Sequence, residues 1–330
     1  MDSPHVPRLN RRSALQVSAA SALAFAGIPL RGQDPPAATL PVNFALNTST
    51  IRGQKLPIEQ QIKVTAQAGY DGIEPWIRDI DQFLESGGAL KTLRQRLDDS
   101  GLFLASAIGF ANWIADDASQ RSKGLEVARR DMDRIAQLGG TLIAAPPIGA
   151  HRQNDVSPPL EVIAERYRTL CELGAEMGVR PQLELWGFSP TLSKLSELAF
   201  VASEAAHPMA CVLPDFYHIY KGGNDFQSLQ MIEASQMHCF HINDYPDMPG
   251  VKEIGDADRV FPGDGVCPLP KLIAQLIGNG FRGSFSLELF NREYWKRDAS
   301  EVAAEGLRKS RQVVAEAMAI LQLTDGGKRD

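Results

Sequence analysis

The chain has 330 residues, 44% of them hydrophobic, and a net charge of −6. That length suits one large α/β barrel or two smaller domains, with enough apolar material for a sizeable core. An acidic surface repels a phosphate backbone, so nucleic acid is a poor partner on charge grounds.

At the N-terminus, Asn10-Arg11-Arg12-Ser13-Ala14-Leu15 sets paired arginines before a mildly apolar run from Ala14 to Leu30, and Ala24-Phe25-Ala26 offers an A-x-A-like cleavage pattern. Residues 1–34 therefore read as a signal peptide resembling the twin-arginine type, followed by a linker around Pro35-Pro36. The expected destination is the periplasm, and an uncleaved segment anchoring the protein to the membrane is the alternative. Gly27 and Pro29 interrupt the run, which is too short and too weakly apolar for a stable span. Signals of this kind carry folded proteins, often with a cofactor in place, which suits a metal enzyme. Without residues 1–34, which hold four arginines against two aspartates, 30 basic and 38 acidic residues remain, a net charge of −8.

From Pro41 onward short apolar runs alternate with amphipathic segments. The strands are expected at Val42 to Thr48, Asp71 to Trp76, Leu102 to Ile108, Thr141 to Ala145, Arg180 to Trp186, Ala210 to Asp215, Met237 to Asn243 and Gly283 to Leu289. Helical patterns fall between them, at Pro57 to Ala68, Ala89 to Asp99, Ser122 to Leu138, Pro158 to Met177, Thr191 to Glu204, Asp225 to Ala234, Leu269 to Ile277 and Ser300 to Leu323. Gly69, Gly139, Gly178 and Gly280 stand where left-handed C-caps are wanted. Eight such units predict an α/β fold, a single-domain (β/α)8 TIM barrel over residues 41–323 with a polar tail at 324–330. A doubly wound open sheet would want a glycine-rich phosphate loop after the first strand, and residues 47–53 contain no G-x-G-x-x-G. The cysteines (171, 211, 239, 267) form no C-x-x-C pair. Buried free thiols are expected, with a Cys211–Cys239 disulfide between neighbouring strands as the alternative.

Strand parity then selects candidate site residues. In the eighth strand Phe285, Leu287 and Leu289 should pack outward on the helices, which points Glu288 inward at the C-terminal mouth where barrel active sites form. The fifth strand repeats this with Glu184 and Trp186, the sixth closes on Asp215, and the seventh carries His241 on the parity of Asn243. One strand-end glutamate is more often a salt-bridge partner or a helix cap than a ligand. Four possible ligands on four consecutive strands point instead to one shared divalent metal. Three carboxylates and an imidazole favour Mn²⁺, Mg²⁺ or Co²⁺, with Zn²⁺ also possible. Without a cation, three buried carboxylates would repel one another and take up protons.

At these residues the chain resembles the xylose-isomerase-like barrel superfamily, in its sugar isomerase and epimerase branch, which includes D-tagatose 3-epimerase, hydroxypyruvate isomerase and the inosose dehydratases. The matching stretches are Gly69-Tyr70-Asp71-Gly72-Ile73-Glu74, Leu183-Glu184-Leu185-Trp186, Asp215-Phe216-Tyr217-His218, His241-Ile242-Asn243-Asp244, Pro262-Gly263-Asp264-Gly265 and Leu287-Glu288-Leu289-Phe290. The resemblance implies metal ligation by Glu184, Asp215, His241 and Glu288 and substrate contact by His218. It also implies that Glu184 and Glu288 exchange protons with the substrate through a cis-enediolate, as a metal-polarised carbonyl acidifies its neighbouring C–H. Two positions depart from the pattern. Pro190 stands where a second glutamate is usual, and Asp247 where an arginine is usual, with Arg259 or Lys252 as substitutes later in the same loop.

Around these, Glu74 has the parity for the mouth and serves as substrate contact or structural ion pair. His151 follows the fourth strand within reach of substrate, Lys221 beside Gly222-Gly223 offers an anion contact or a solvated charge, and Trp113, Trp186 and Tyr245 offer an aromatic wall. The expected activity is a metal-dependent isomerase or epimerase of a ketose or keto-sugar. The alternative is a lyase or dehydratase that expels a β-substituent from the same intermediate. A non-catalytic sugar-binding protein follows. An abasic-site endonuclease of the same superfamily ranks last, because its three-metal cluster needs more histidines than the six present. The partner expected is a small sugar, and a homo-oligomer is compatible with the sequence.

Overall fold

The computed structural model describes residues 40–326, with side chains through Leu323. The twin-arginine pattern, its cleavage pattern and the linker lie outside the described residues. The described strands are β1 (Asn43–Asn47), β2 (Gly72–Glu74), β3 (Phe103–Leu104), β4 (Leu142–Ala145), β5 (Arg180–Glu184), β6 (Val212–Leu213), β7 (Cys239–Ile242) and β8 (Ser284–Leu287). Each falls inside an expected strand. Hydrogen-bonded neighbours form two arcs, β3-β2-β1-β8-β7 and β4-β5-β6, and every pairing is parallel. Parallel bridges at Ile108–Ala144, Val212–Met237 and Asp215–His241 join the arcs, so the strands close in chain order into a barrel. In register, His241 lies beside Ser286 and Ser286 beside Ala45, while Phe240 lies beside Phe285. The first set faces the barrel axis. The second faces the helices, where Phe285 packs 4.9 Å from the Phe281 ring.

The helices are α1 (Ile58–Ala68), α2 (Ile77–Glu85), α3 (Leu90–Asp99), α4 (Ala118–Gln137), α5 (Leu160–Met177), α6 (Leu195–Glu204), α7 (Phe216–Lys221), α8 (Leu269–Gly278) and α9 (Ala299–Gly326). Gly69, Gly139, Gly178 and Gly280 take φ of 88°, 79°, 69° and 100°, as the cap reading requires. Three expectations are corrected. Residues 225–234 form no α-helix but a 3-10 segment (Phe226–Met231) and a second short turn, because Phe226, Leu229 and Ile232 repeat every three residues and meet the core at that pitch. Two short helices follow strand ends, α7 too brief to leave a periodic signal and α2 carrying Ile77, Ile80 and Leu84 at helical spacing against the core. The last helix continues to Gly326, into the stretch read as a tail.

The cysteines are buried free thiols, so Cys211 and Cys239 are not joined, and burial pushes the Cys171 thiol up to about 12. Among the described residues no helix is long and apolar enough to cross a membrane.

Candidate functional site

The C-terminal ends of β6, β7 and β8 bring Asp215, His241 and Glu288 together. One donor atom from each lies within 4.8 Å of the others, and all three side chains are buried. Asp215 is placed by its own backbone. It is the N-cap of α7, where its Oδ1 accepts the His218 backbone N–H at 2.8 Å, leaving Oδ2 turned to the barrel axis. Asn243 donates to that Oδ2 at 2.9 Å. Glu74, at the end of β2, sits behind His241 rather than in the cavity. Its Oε2 is 3.1 Å from His241 Nε2 and accepts from Ser286 Oγ at 2.6 Å and Asn47 Nδ2 at 2.9 Å. A carboxylate on Nε2 fixes the ring so that Nδ1 faces Glu288 Oε2 at 3.2 Å and Asp215 Oδ2 at 3.7 Å.

The fourth expected ligand, Glu184, is buried and lines the same cavity, but it is not within the 4.8 Å group. Its Oε2 is without a hydrogen-bond partner, and His241 Nδ1 has only the Glu288 and Asp215 carboxylates about it. A buried carboxylate oxygen left without a partner, beside two further carboxylates and an imidazole nitrogen, fits a divalent cation.

Arg259 is the largest departure from the expected site. Its side chain is 1% exposed, and its Nη1 donates to Glu288 Oε2 at 2.8 Å and Asp215 Oδ2 at 3.1 Å. Nη2 reaches Asp256 Oδ1 at 2.7 Å and lies 3.0 Å from His218 Nε2, while the guanidinium stacks 4.3 Å from the Tyr217 ring. The expected choice between Arg259 and Lys252 falls to Arg259, since Lys252 is exposed. His218 is buried and accepts the Gly187 N–H on Nδ1 at 3.3 Å. Burial and then Arg259 lower its basicity, so it is held neutral.

The two glutamates that face the cavity are driven apart. Burial pushes the Glu184 carboxyl up to about 8, against the pull of His241 and with Glu288 adding to it. Burial acts on Glu288 in the same sense, but His241 and Arg259 outweigh it and hold that carboxyl well below the usual range. His241 is raised well above its ordinary value, burial being outweighed by Glu288 and Glu74.

The cavity above these groups measures about 530 Å³. Trp186 lines it together with Trp76, Phe110, Phe188 and Phe290. The other aromatic candidates lie elsewhere. Trp113 is buried against Tyr167 and donates to the Pro146 carbonyl at 2.7 Å, and Tyr245 stacks on Tyr220. His151 does not line the cavity but meets the edge of Trp186 at 5.6 Å. Lys221 is no anion receptor, because its Nζ donates to the Val251 and Lys252 carbonyls. Asn47, which sequence reading passed over, donates to Glu74 and Glu288 and accepts from Trp76 Nε1 at 3.0 Å. It stands at the end of β1 on the same rim, so the parity argument used for strands five to eight would have found it.

A family model described as xylose isomerase-like TIM barrel matches residues 62–313. The chain belongs to that family. Within it, the chain is 24% identical over 252 residues to a 3-dehydroshikimate dehydratase of Pseudomonas putida, a match that covers 76% of this chain but only 39% of that protein. It is 25% identical over 264 residues to an inosose isomerase of Bacillus velezensis, covering 78% of this chain and 92% of that one. Among solved xylose isomerase-like folds, a crystal structure described as IOLI protein with a binding zinc atom superposes with a TM-score of 0.78 at 19% identity, covering 84% of this chain and 99% of that one.

Proposed function

We propose that this chain is a metal-dependent isomerase or epimerase of a ketose or keto-sugar, with Glu184 and Glu288 as the proton-transfer groups. The observation that carries the reading is the pair itself: two buried carboxyls, Glu184 and Glu288, face one cavity beside Asp215 and His241, with burial raising the first and His241 and Arg259 lowering the second. Asp215, His241 and Glu288 would hold a divalent ion with Glu184 as a further ligand, and that ion would polarise a substrate carbonyl. Mn²⁺, Mg²⁺ or Co²⁺ suits the oxygen-rich set best and Zn²⁺ is compatible with it. Glu288, ionised, takes a proton from the carbon beside the carbonyl, and Glu184 returns one from its own side, so the substrate passes through a cis-enediolate. His218 and Arg259 orient the hydroxyls. The aromatic walls exclude water. The inosose isomerase relative supports the reading.

A dehydratase is the second reading. A protonated carboxyl opposite a free carboxylate also serves elimination, where Glu184 would protonate a leaving hydroxyl, and the dehydroshikimate dehydratase relative favours it. Incubation of the Mn²⁺-loaded protein with ketoses, inososes and 3-keto-glycosides in D₂O, followed by NMR, separates the two. Deuterium at one carbon of an otherwise intact sugar marks isomerisation, and loss of a substituent marks elimination. Absence of both solvent deuterium and substituent loss in all of these compounds would refute both readings and leave a binding role.

We further propose that the protein is exported through the twin-arginine route, supported by Arg11-Arg12 and the apolar run that follows. Replacing both arginines by lysine should retain it in the cytoplasm on fractionation.

A further inference from the structure

The site described above leaves two cations on the cavity wall unused, Arg52 and the exposed Arg292. Arg52, in the 3-10 segment Thr48–Gln54 after β1, is half-buried and lines the cavity. Its guanidinium carbon lies 5.0 Å from the Trp76 ring centroid, 5.3 Å from Phe290 and 5.2 Å from Trp295. Arg259 stacks on the same Phe290 ring at 5.0 Å, so Arg52 stands one ring away from the group that binds Asp215 and Glu288.

The cradle is fixed. Trp76 Nε1 donates to Asn47 and Trp295 Nε1 to the Ser49 carbonyl at 3.0 Å, while a Cβ at Gly53 would fall 2.1 Å from that of Trp295. Aromatic rings hold a guanidinium by its faces and leave its in-plane N–H groups for an acceptor. Among the described residues Arg52 has no carboxylate within ion-pair distance. Burial, and then Arg78, lower its basicity by more than Asp79, Glu288 and Asp256, none of them in ion-pair contact, raise it.

We propose that Arg52 receives an oxyanion of the substrate, a carboxylate, so that the substrate is a polyhydroxylated carboxylic acid. Its hydroxyl and carbonyl oxygens lie at Asp215, His241 and Glu288, and its carboxylate lies past Phe290. The inference rests on the reading of the site given under Proposed function and adds the charge of the ligand. The two oxygens of a carboxylate match the in-plane N–H pair of a single guanidinium.

The test compares ligand affinity by calorimetry for quinate, a carboxylated cyclic polyol, myo-inositol, its neutral counterpart, and myo-inositol 1-phosphate, each with and without Mn²⁺. Quinate should bind about tenfold more tightly than myo-inositol. Arg52→Met, which keeps the packing on the rings, should abolish the preference, and Arg52→Lys should retain part of it, with Mn²⁺ affinity unchanged in both. Equal binding of quinate and myo-inositol by the wild-type protein, a preference that survives Arg52→Met, or a stronger preference for the phosphate would each overturn the proposal. So would loss of the preference in Arg292→Ala, a change at the exposed cation of the same rim. Failure of the metal reading appears separately, as absent Mn²⁺ binding with the quinate preference intact in the metal-free protein.

Discussion

Replacing Arg259 by methionine tests the electrostatic account of the site most directly. The guanidinium is buried and hydrogen-bonded to Asp215, Glu288 and Asp256, so in metal-free protein it is the fixed positive charge that lets two buried carboxylates coexist. Breaking a buried ion pair by removing one partner costs about 3–5 kcal/mol, because the other charge stays buried and uncompensated. At about 2 °C per kcal/mol, the low end for a chain of this size, the melting temperature in EDTA should fall by about 6–10 °C. A cation bound by Asp215 and Glu288 supplies the missing charge, and with Arg259 gone it meets less repulsion. With Mn²⁺ in excess the loss should therefore shrink to less than half, and the Mn²⁺ affinity should rise. Differential scanning fluorimetry in EDTA and in Mn²⁺, with calorimetry for the affinity, reads both quantities. A drop under 2 °C in EDTA, or an equal drop in the two conditions, would refute the claim that Arg259 and the metal answer the same carboxylates.

Glu184, raised from the ordinary carboxyl range to about 8, binds its proton more tightly folded than unfolded, so its stabilising contribution is complete at low pH and is lost as pH climbs from about 4.5 through 8. In EDTA the stability of Glu184→Gln relative to wild type should accordingly rise across that window, with a slope of up to about 1.4 kcal/mol per pH unit, and a flat difference in chemical denaturation would count against the shift. Glu74→Gln frees the His241 ring without removing a cavity-facing ligand, and should weaken Mn²⁺ binding by about 10–100-fold in calorimetry; unchanged affinity would show that Glu74 does not position His241. Gly187→Ala places a Cβ 2.3 Å from the His218 carbonyl oxygen and 2.5 Å from Gly222 N, which should cost about 1–3 kcal/mol in urea denaturation and reduce turnover by displacing His218.

The barrel was legible because every strand is an apolar run and several announce themselves a second time, by a glycine such as Gly69, Gly139, Gly178 or Gly280 that ends the preceding helix. The rim residues of β5 to β8 were legible for a related reason: alternation along a strand sets which side chains face the axis, so Ser286 inward predicts Glu288 inward two residues later. That logic stops where the strand stops. Arg52, Phe110, Phe188 and Asp256 reach the cavity from loops, whose course depends on contacts far apart along the chain, such as Trp295 with the Ser49 carbonyl. The same limit explains Lys221, which ends α7 and turns its Nζ to the Val251 and Lys252 carbonyls, and Lys252, which is exposed. Periodicity misread residues 225–234 because apolar side chains every three residues pass for a helical stripe over one or two turns.

Glu184 shows how parity and ligation separate. Strand alternation places its side chain in the mouth, and the structure keeps it there, yet among the described residues neither ligand-distance group, Asp215 with His241 and Glu288 or Glu74 with Cys239 and His241, includes it. The first three are locked by neighbours: the α7 cap and Asn243 for Asp215, Glu74 for His241, Asn47 and Arg259 for Glu288. Glu184 Oε2 has no such partner. A carboxyl with no competing hydrogen bond on one oxygen and a raised affinity for a proton is the group with most freedom to exchange partners, between cation, proton and substrate carbon. On this reasoning the three locked residues anchor the metal and Glu184 is the freer of the two proton-transfer groups, so Glu184→Gln should reduce deuterium incorporation sharply while retaining most Mn²⁺ affinity. The reverse outcome, lost affinity with exchange preserved, would assign it to ligation alone.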